Sequence, residues 1–335
     1  MRPTTEETIA SLFSVLGLGE VLLPVTTVSG GLMHRMYKVN TPGQSYAVKH
    51  LNPEIMKRPG VMENYRRAES LEKILEEAGI PIVPALAFGG RKMQEFSGRY
   101  YYLFRWQEGR ITDWHNITPE QCRQAGSILG RIHALRPEKT GPAEPELSAV
   151  NWRAYADEAA RQQSVIAPLL RENLPLLDYA QATLNSARQA LPGIRCISDE
   201  DMDPKNVMWC GGRPAVIDLE CLDFGNPASH ALQLALQWSG ITACDLKPEL
   251  FKAFFGGYLD AWDSGFRDYG NILGVAYTWI EWLEYNITRA LGSCPDERER
   301  ETGIEEVRGT IRRLRYLREH EEFIKGCLEQ LSGSR

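Results

Sequence analysis

The stretch from Ser198 to Glu220, SDEDMDPKNVMWCGGRPAVIDLE, sets a carboxylate, an amide and a second carboxylate at intervals defined by a turn and a strand. Asp201 stands five residues before Asn206. A hydrophobic step, the Gly211-Gly212 turn and a strand from Pro214 to Ile217 follow, and the strand ends on Asp218. This order suits phosphoryl transfer. One carboxylate takes the proton of an attacking hydroxyl, an amide oxygen ligates a metal, and a carboxylate at a strand end holds the metal between phosphates. The same residues also read as a plain β-hairpin with a polar turn. Asp199, Glu200, Asp201 and Asp203 crowd four carboxylates into five positions. Such groups repel one another unless Mg²⁺ or a polycationic substrate neutralises them, or unless alternate residues such as Glu200 point into solvent.

A chain of 335 residues is long enough for two lobes with a sizeable core. Its formal net charge of -6, with no basic stripe along the chain, argues against a nucleic-acid partner. The arginines at 308, 312, 313 and 315 alternate with apolar residues, as on a solvated helix face. Seven scattered cysteines without a C-x-x-C pair argue against a disulfide framework or a zinc site and suit a reducing cytosol. The longest apolar stretch near the start, Leu12 to Val25, is broken by Glu20 and is too short to span a membrane. Glu6 and Glu7, with no basic segment, do not read as a signal peptide, so a cytoplasmic protein is expected.

Residues 5–16 read as a helix, and strands follow to about residue 105. Val25 to Ser29 leads into the turn Ser29-Gly30-Gly31, whose glycines let backbone approach phosphates closely. His34 to Asn40 and Gln44 to Leu51 form a hairpin around Pro42-Gly43, and on its second arm Ala47 and Lys49 share a face. Val61 to Ala78 reads as a helix ended by Gly79, with further strands at Val83 to Phe88 and Tyr100 to Trp106. Beyond Trp106 the chain turns helical, starting at the capping box of Thr118, Pro119 and Gln121. Helices are expected at about 150–163, 167–191, 226–240, 247–263, 270–292 and 297–331. The expected architecture is α+β and bilobal: an antiparallel β-rich lobe over 1–106 and a larger helical lobe over 107–335 that carries the Ser198–Glu220 segment.

Lys49, in Tyr46-Ala47-Val48-Lys49, is a candidate for holding nucleotide phosphates and needs a carboxylate partner to stay charged. Glu69 on the following helix is the candidate, although Glu63, Glu72, Glu76 and Glu77 lie on the same helix. His133 lies on an apolar helix face and is expected to be a hydrogen-bonded core residue. Tyr277, Trp279, Trp282 and Tyr285 keep helical spacing and read as core, with a cation cage as the alternative because Glu281 and Glu284 accompany them.

Taken together, these pieces resemble the aminoglycoside phosphotransferase and choline kinase family, small-molecule kinases with the protein-kinase-like fold. The match runs in order along nearly the whole chain. It includes Ser29-Gly30-Gly31 with Tyr37-Lys38-Val39, the strand bearing Lys49, Glu69 before Gly79-Ile80-Pro81, and Phe104 to Gly109 at the adenine-side hinge. It continues through Leu129-Gly130-Arg131-Ile132-His133-Ala134-Leu135 and Val216-Ile217-Asp218-Leu219-Glu220. The resemblance implies a nucleotide site formed by Gly30, Gly31, Ala47, Lys49, Glu69 and Trp106, with Mg²⁺ on Asn206 and Asp218 and Asp201 as the catalytic carboxylate. It implies ATP or GTP as phosphoryl donor and a hydroxyl of a small, cationic molecule as acceptor. Where the family usually has His two residues before the catalytic Asp, this chain has Asp199. The alternative reading is therefore a nucleotide-binding pseudokinase or scaffold.

Overall fold

The computed structural model describes every residue except 1–3, 29–33, 141–144, 295 and 334–335, so Gly30 and Gly31 lie outside the described residues. In chain order the elements are α1 (Thr5–Leu16), β1 (Leu22–Val28), β2 (Arg35–Asn40), β3 (Ser45–His50), α2 (Val61–Glu77), β4 (Gln94–Phe96), β5 (Arg99–Arg105) and β6 (Arg110–Ile111). There follow α3 (Pro119–His133), β7 (Glu138–Lys139), α4 (Trp152–Arg161), α5 (Ala167–Gln189), β8 (Ile194–Asp199), β9 (Val207–Cys210) and β10 (Arg213–Val216). The chain closes with β11 (Leu222–Gly225), α6 (Pro227–Trp238), α7 (Pro248–Ala261), α8 (Trp279–Ala290) and α9 (Glu297–Gly333). This is the α+β architecture expected from the sequence.

Two compact units emerge: residues 1–112 with 206–223, and residues 113–205 with 224–335. The division differs from a cut at residue 106 because the segment carrying Asn206 and Asp218 returns to the first unit. Pairing is the cause. The hairpin β9–β10 turns on Gly211 and Gly212, both at positive φ (59° and 80°), as a two-residue hairpin of this hand requires. Its first strand pairs with β6, and Val216 exchanges backbone hydrogen bonds with Pro81 and Val83 at 2.8 and 2.9 Å.

The first unit is built on an antiparallel sheet of order β1-β2-β3-β5-β4. Thr4 caps α1 and forms a reciprocal capping box with Glu7. The apolar face of that helix, Ile9, Leu12 and Phe13, is buried on Tyr37, Val39, Tyr46, Val48, Tyr101 and Leu103 of the sheet. Residues 83–88, expected as a strand, are extended without forming one. Isolated bonds hold them, Val83 N–H to Val216 at 2.9 Å, Ala85 N–H to Glu72 at 2.6 Å and Leu86 N–H to Leu103 at 2.7 Å, and Pro81 and Pro84 lack the N–H that a ladder needs.

In the second unit the capping box at Thr118 starts α3 as its sequence implies. Helices α3 and α7 meet through glycines. A Cβ on Gly126 would lie 2.0 Å from the Phe254 carbonyl oxygen, and one on Gly257 would lie 2.2 Å from that of Arg123. Gly126→Ala is therefore a contest of two effects. Helix propensity favours alanine by about 1 kcal/mol, whereas forcing two backbones apart costs about 1–3 kcal/mol or more. The steric term wins, and a lower thermal midpoint is expected; a midpoint raised by the substitution would contradict this close approach. The helix expected over 270–292 is instead a 3₁₀ segment, Leu273–Thr278, followed by α8. Gly274 is pressed there against the Thr183 carbonyl of α5.

Candidate active site

In the first unit β3 aims Lys49 inward. Its register opposite Tyr102 of β5, with Ala47 opposite Phe104, puts Ala47 and Lys49 on one face. The ammonium is buried and donates to Asp218 Oδ1 at 2.7 Å and to the Glu220 carboxylate. Burial pulls the Lys49 pKa down, but Glu220 and Asp218 outweigh it and hold it above the ordinary lysine value. Glu220 feels the converse: burial pushes it up, and the His34 hydrogen bond and Lys49 bring it below the usual range. His34 accepts the Asn52 N–H on Nδ1 at 3.0 Å, so its proton sits on Nε2 and is donated to Glu220 at 3.1 Å. The Tyr65 hydroxyl, its pKa raised by burial and by Glu220, adds a longer contact of 3.4 Å to the same carboxylate.

The partner of Lys49 is thus not Glu69. That carboxylate accepts from the Tyr102 hydroxyl at 2.8 Å and from the Met93 N–H at 3.1 Å, while lining the same small pocket as Lys49, Asp218 and Glu220. Helix spacing places Glu69 at the pocket wall, but the 218–220 step brings two carboxylates nearer to the ammonium. Asp218 adopts a left-handed backbone (φ 61°, ψ 58°), uncommon for a residue other than glycine though tolerated by Asp. This bend turns the chain at the strand end, so the carboxylates at 218 and 220 both reach Lys49.

Asn206 is buried, and its carbonyl accepts the Ile217 N–H at 2.9 Å, which ties it to the strand that carries Asp218. Amide and carboxylate oxygens are the hard donors that Mg²⁺ takes. Among the described residues no group of three or more His, Cys, Asp or Glu side chains is arranged to cage a metal. Trp106 hydrogen-bonds Glu108 at 2.8 Å through its indole, and Lys38 stands over its ring at 4.2 Å.

The second unit carries the loop after β8. Asp199 is fully buried, and its Oδ1 accepts the Asp201 N–H at 3.1 Å, which shapes the turn that presents Asp201. The carboxylate crowding is relieved internally. Lys205 bridges Asp201 at 3.1 Å and Asp203 at 3.0 Å, and Glu200 meets His230 at 2.8 Å with its side chain 72 % exposed. Burial pulls the Lys205 pKa down, but Asp201 and Asp203 raise it further, so the ammonium stays charged.

His133 is a core residue, as its helix face implies. It lies 3.1 Å from the Tyr258 hydroxyl and 2.9 Å from Ser198 Oγ. Burial, aided by His230, drives its pKa well below that of free histidine. A depressed folded-state pKa contributes stability that is full above about pH 6.5 and is lost as the pH falls, because only the unfolded chain then takes the proton. Stability should fall by about 1 kcal/mol between pH 6.5 and 5.5, approaching about 1.4 kcal/mol per pH unit below that, and His133→Gln should flatten that slope. Denaturant midpoints across this range check it; an identical slope in the variant would assign the effect elsewhere.

Of the aromatic set, Tyr277 is core and donates to Glu321 at 2.6 Å, whereas Trp282 and Tyr285 are half-exposed. Their acidic neighbours are engaged: Glu281 pairs with Arg188 at 2.8 Å and Glu284 accepts from Tyr155 at 2.9 Å. His34, Tyr65, Lys205 and His230 were not singled out from the sequence. Only Lys205 carried a signal, a cation directly before Asn206 within an acidic run.

Residues 24–268 match the model of the phosphotransferase enzyme family. Among curated proteins none matches the chain. Several solved structures share the fold. A spectinomycin phosphotransferase bound to ADP and spectinomycin is 14% identical with a TM-score of 0.67, covering 93% of this chain and 98% of its own. An amicoumacin kinase bound to AMP-PNP, Ca²⁺ and its antibiotic is 10% identical with a TM-score of 0.59, covering 90% of this chain and 92% of its own. A choline kinase of Streptococcus pneumoniae is 16% identical with a TM-score of 0.55, covering 91% of this chain and 97% of its own.

Proposed function

Because the chain belongs to the phosphotransferase enzyme family and is by that membership a small-molecule kinase, we propose that it transfers the terminal phosphoryl group of ATP or GTP to a hydroxyl of a small cationic molecule. The observation that carries the reading is Lys49, buried and held charged beside Asp218 at 2.7 Å. A buried ammonium next to a strand-end carboxylate forms a ready site for an Mg²⁺-nucleotide phosphate chain. Lys49 binds and orients phosphate oxygens there. Asn206 and Asp218 are assigned to Mg²⁺, which when bound neutralises phosphate charge. Ala47 and Trp106 are assigned to the nucleotide's base side, and Gly30 and Gly31 to backbone contacts with phosphate. Glu69 is assigned to the wall of the phosphate site, acting through Tyr102 rather than by pairing with Lys49. Asp201 orients the acceptor hydroxyl and takes its proton as the bond to phosphorus forms. Positioning and charge neutralisation supply most of the acceleration.

A cationic acceptor is supported by the loop's own charge. Four carboxylates, Asp199, Glu200, Asp201 and Asp203, fall within five positions there; Lys205 pairs with Asp201 and Asp203, and Glu200 meets His230 with its side chain 72 % exposed. Opposite charge in the acceptor then raises encounter rates. The amino-alcohol or aminoglycoside class fits this description. The seven scattered cysteines, without a C-x-x-C pair, are free and support placement in a reducing compartment such as the cytoplasm. The deciding experiment measures ADP or GDP release with Mg²⁺ against a panel of aminoglycosides, choline-like amines, plain sugars and hydroxy acids. Turnover with a cationic acceptor that weakens with salt is expected. A neutral or anionic best acceptor would overturn the charge argument, and nucleotide binding without turnover on any acceptor would leave a pseudokinase.

A further inference from the structure

Building on that reading, we propose that His230 is a positioning residue for the catalytic loop, and that α6 grips the segment bearing Asp201 on both sides. Helix α6 begins at its cap Asn226, whose amide donates to the Pro192 carbonyl at 2.8 Å, just before β8. One turn later His230 reaches the end of β8, with Nδ1 2.5 Å from Ser198 Oγ and Nε2 2.8 Å from Glu200. Near the end of the helix the Trp238 indole donates to the Met202 carbonyl at 3.0 Å. Residues 198, 200 and 202 are therefore fastened to one rigid element, and Asp201 lies between two of those fastenings.

The site is built for this histidine. A Cβ at Gly225 would lie 2.1 Å from His230 Cε1, so no other residue at 225 leaves room for the ring. The proton count along the row from buried Tyr258, His133, Ser198 and His230 to exposed Glu200 leads the same way. If Tyr258 donates to His133 Nδ1, then His133 Nε2–H donates to Ser198, Ser198 donates to His230 Nδ1, and His230 Nε2–H donates to Glu200. With one more proton the three inner bonds reverse, and Nε2–H still donates to Glu200. The bond to Glu200 thus holds in both arrangements. Because the Glu200 side chain is 72 % exposed, that end is screened and weak on its own. The buried Ser198–His230 contact carries most of the grip.

The test reads loop order and turnover separately. In His230→Phe, which keeps the ring but loses both polar atoms, amide exchange at residues 199–203 should rise about tenfold while 194–197 and α6 stay protected. With MgATP and the best acceptor from that panel, kcat should fall about 100-fold, since a displacement near 1 Å suffices, while KM for MgATP stays within about two-fold. His230→Asn, whose amide can turn its oxygen to accept from Ser198 or its nitrogen to donate to it where Nδ1 stands, should recover most of both. Should His230→Phe not fold, Glu200→Gln is read instead, and a rise of about two-fold in exchange confined to 199–203 is expected. Unchanged exchange at 199–203, or a uniform rise through β8 and α6, overturns the proposal. If the loop loosens in His230→Phe yet the wild-type protein turns over no acceptor, the grip stands and the phosphotransferase reading fails.

Discussion

Asp201→Asn is expected to lower phosphoryl transfer by about 10³-fold while leaving MgATP affinity within about two-fold, the loss typical of removing a positioned general base. The substitution is isosteric and keeps an oxygen for the Lys205 contact at 3.1 Å, but it removes the carboxylate to which we assign the acceptor's proton. Little stability should be lost, because the Asp201–Lys205 pair is partly exposed, and such pairs contribute about 0–1 kcal/mol. Asp199→Asn is the control. Asp199 is fully buried and uses Oδ1 to accept the Asp201 N–H, a bond that an amide oxygen preserves. Its turnover should fall far less than that of Asp201→Asn. The two variants are compared by ADP release and by calorimetric titration with MgATP. Full turnover in Asp201→Asn would remove that residue from the chemistry.

Lys49→Ala is expected to act twice. The ammonium sits between Asp218 and Glu220, whose side chains are 40% and 21% exposed. Removing one member of a fully buried pair costs about 3–5 kcal/mol, and partial solvent access to these carboxylates reduces the expected loss to about 2 kcal/mol. Nucleotide affinity should fall about 10–100-fold, the worth of charge-assisted hydrogen bonds to phosphate. Lys49→Met keeps the stem and isolates the charge. The sign with pH follows from the shifts. Lys49 is raised and Glu220 lowered, so the cluster stays ionised from about pH 5 to 10, and its contribution is lost above the lysine range or below the carboxylate range. Melting curves and MgATP titrations check both effects; an unchanged dissociation constant in Lys49→Met would take Lys49 out of the nucleotide site.

Much of this molecule was legible along the chain because local chemistry dictates local structure. The capping box at Thr118 and the Gly211–Gly212 turn act over a few residues, so their elements appear where the sequence puts them. The apolar periodicity that predicted α3 around Cys122, Leu129 and Ile132 is the buried face of that helix. Two proline residues defeated the strand reading of 83–88, since alternation says nothing about a missing N–H.

The candidates Lys49, Asp201, Asn206 and Asp218 could be picked out from residue types and intervals, whereas Glu69 among its neighbouring glutamates, and the family, were reached through a resemblance that runs in order along the chain. Which carboxylate would meet Lys49 could be read from neither. Helix α2 offers several glutamates within reach of the same wall, and the choice of Asp218 and Glu220 depends on a left-handed turn at 218 and on the return of 206–223 to the first unit. The same holds for His230, which lies 30 residues beyond Glu200 in sequence and 2.8 Å from it in space. Sequence order encodes the parts. Only tertiary packing, which brings distant segments within hydrogen-bond range, decides which charges neutralise one another.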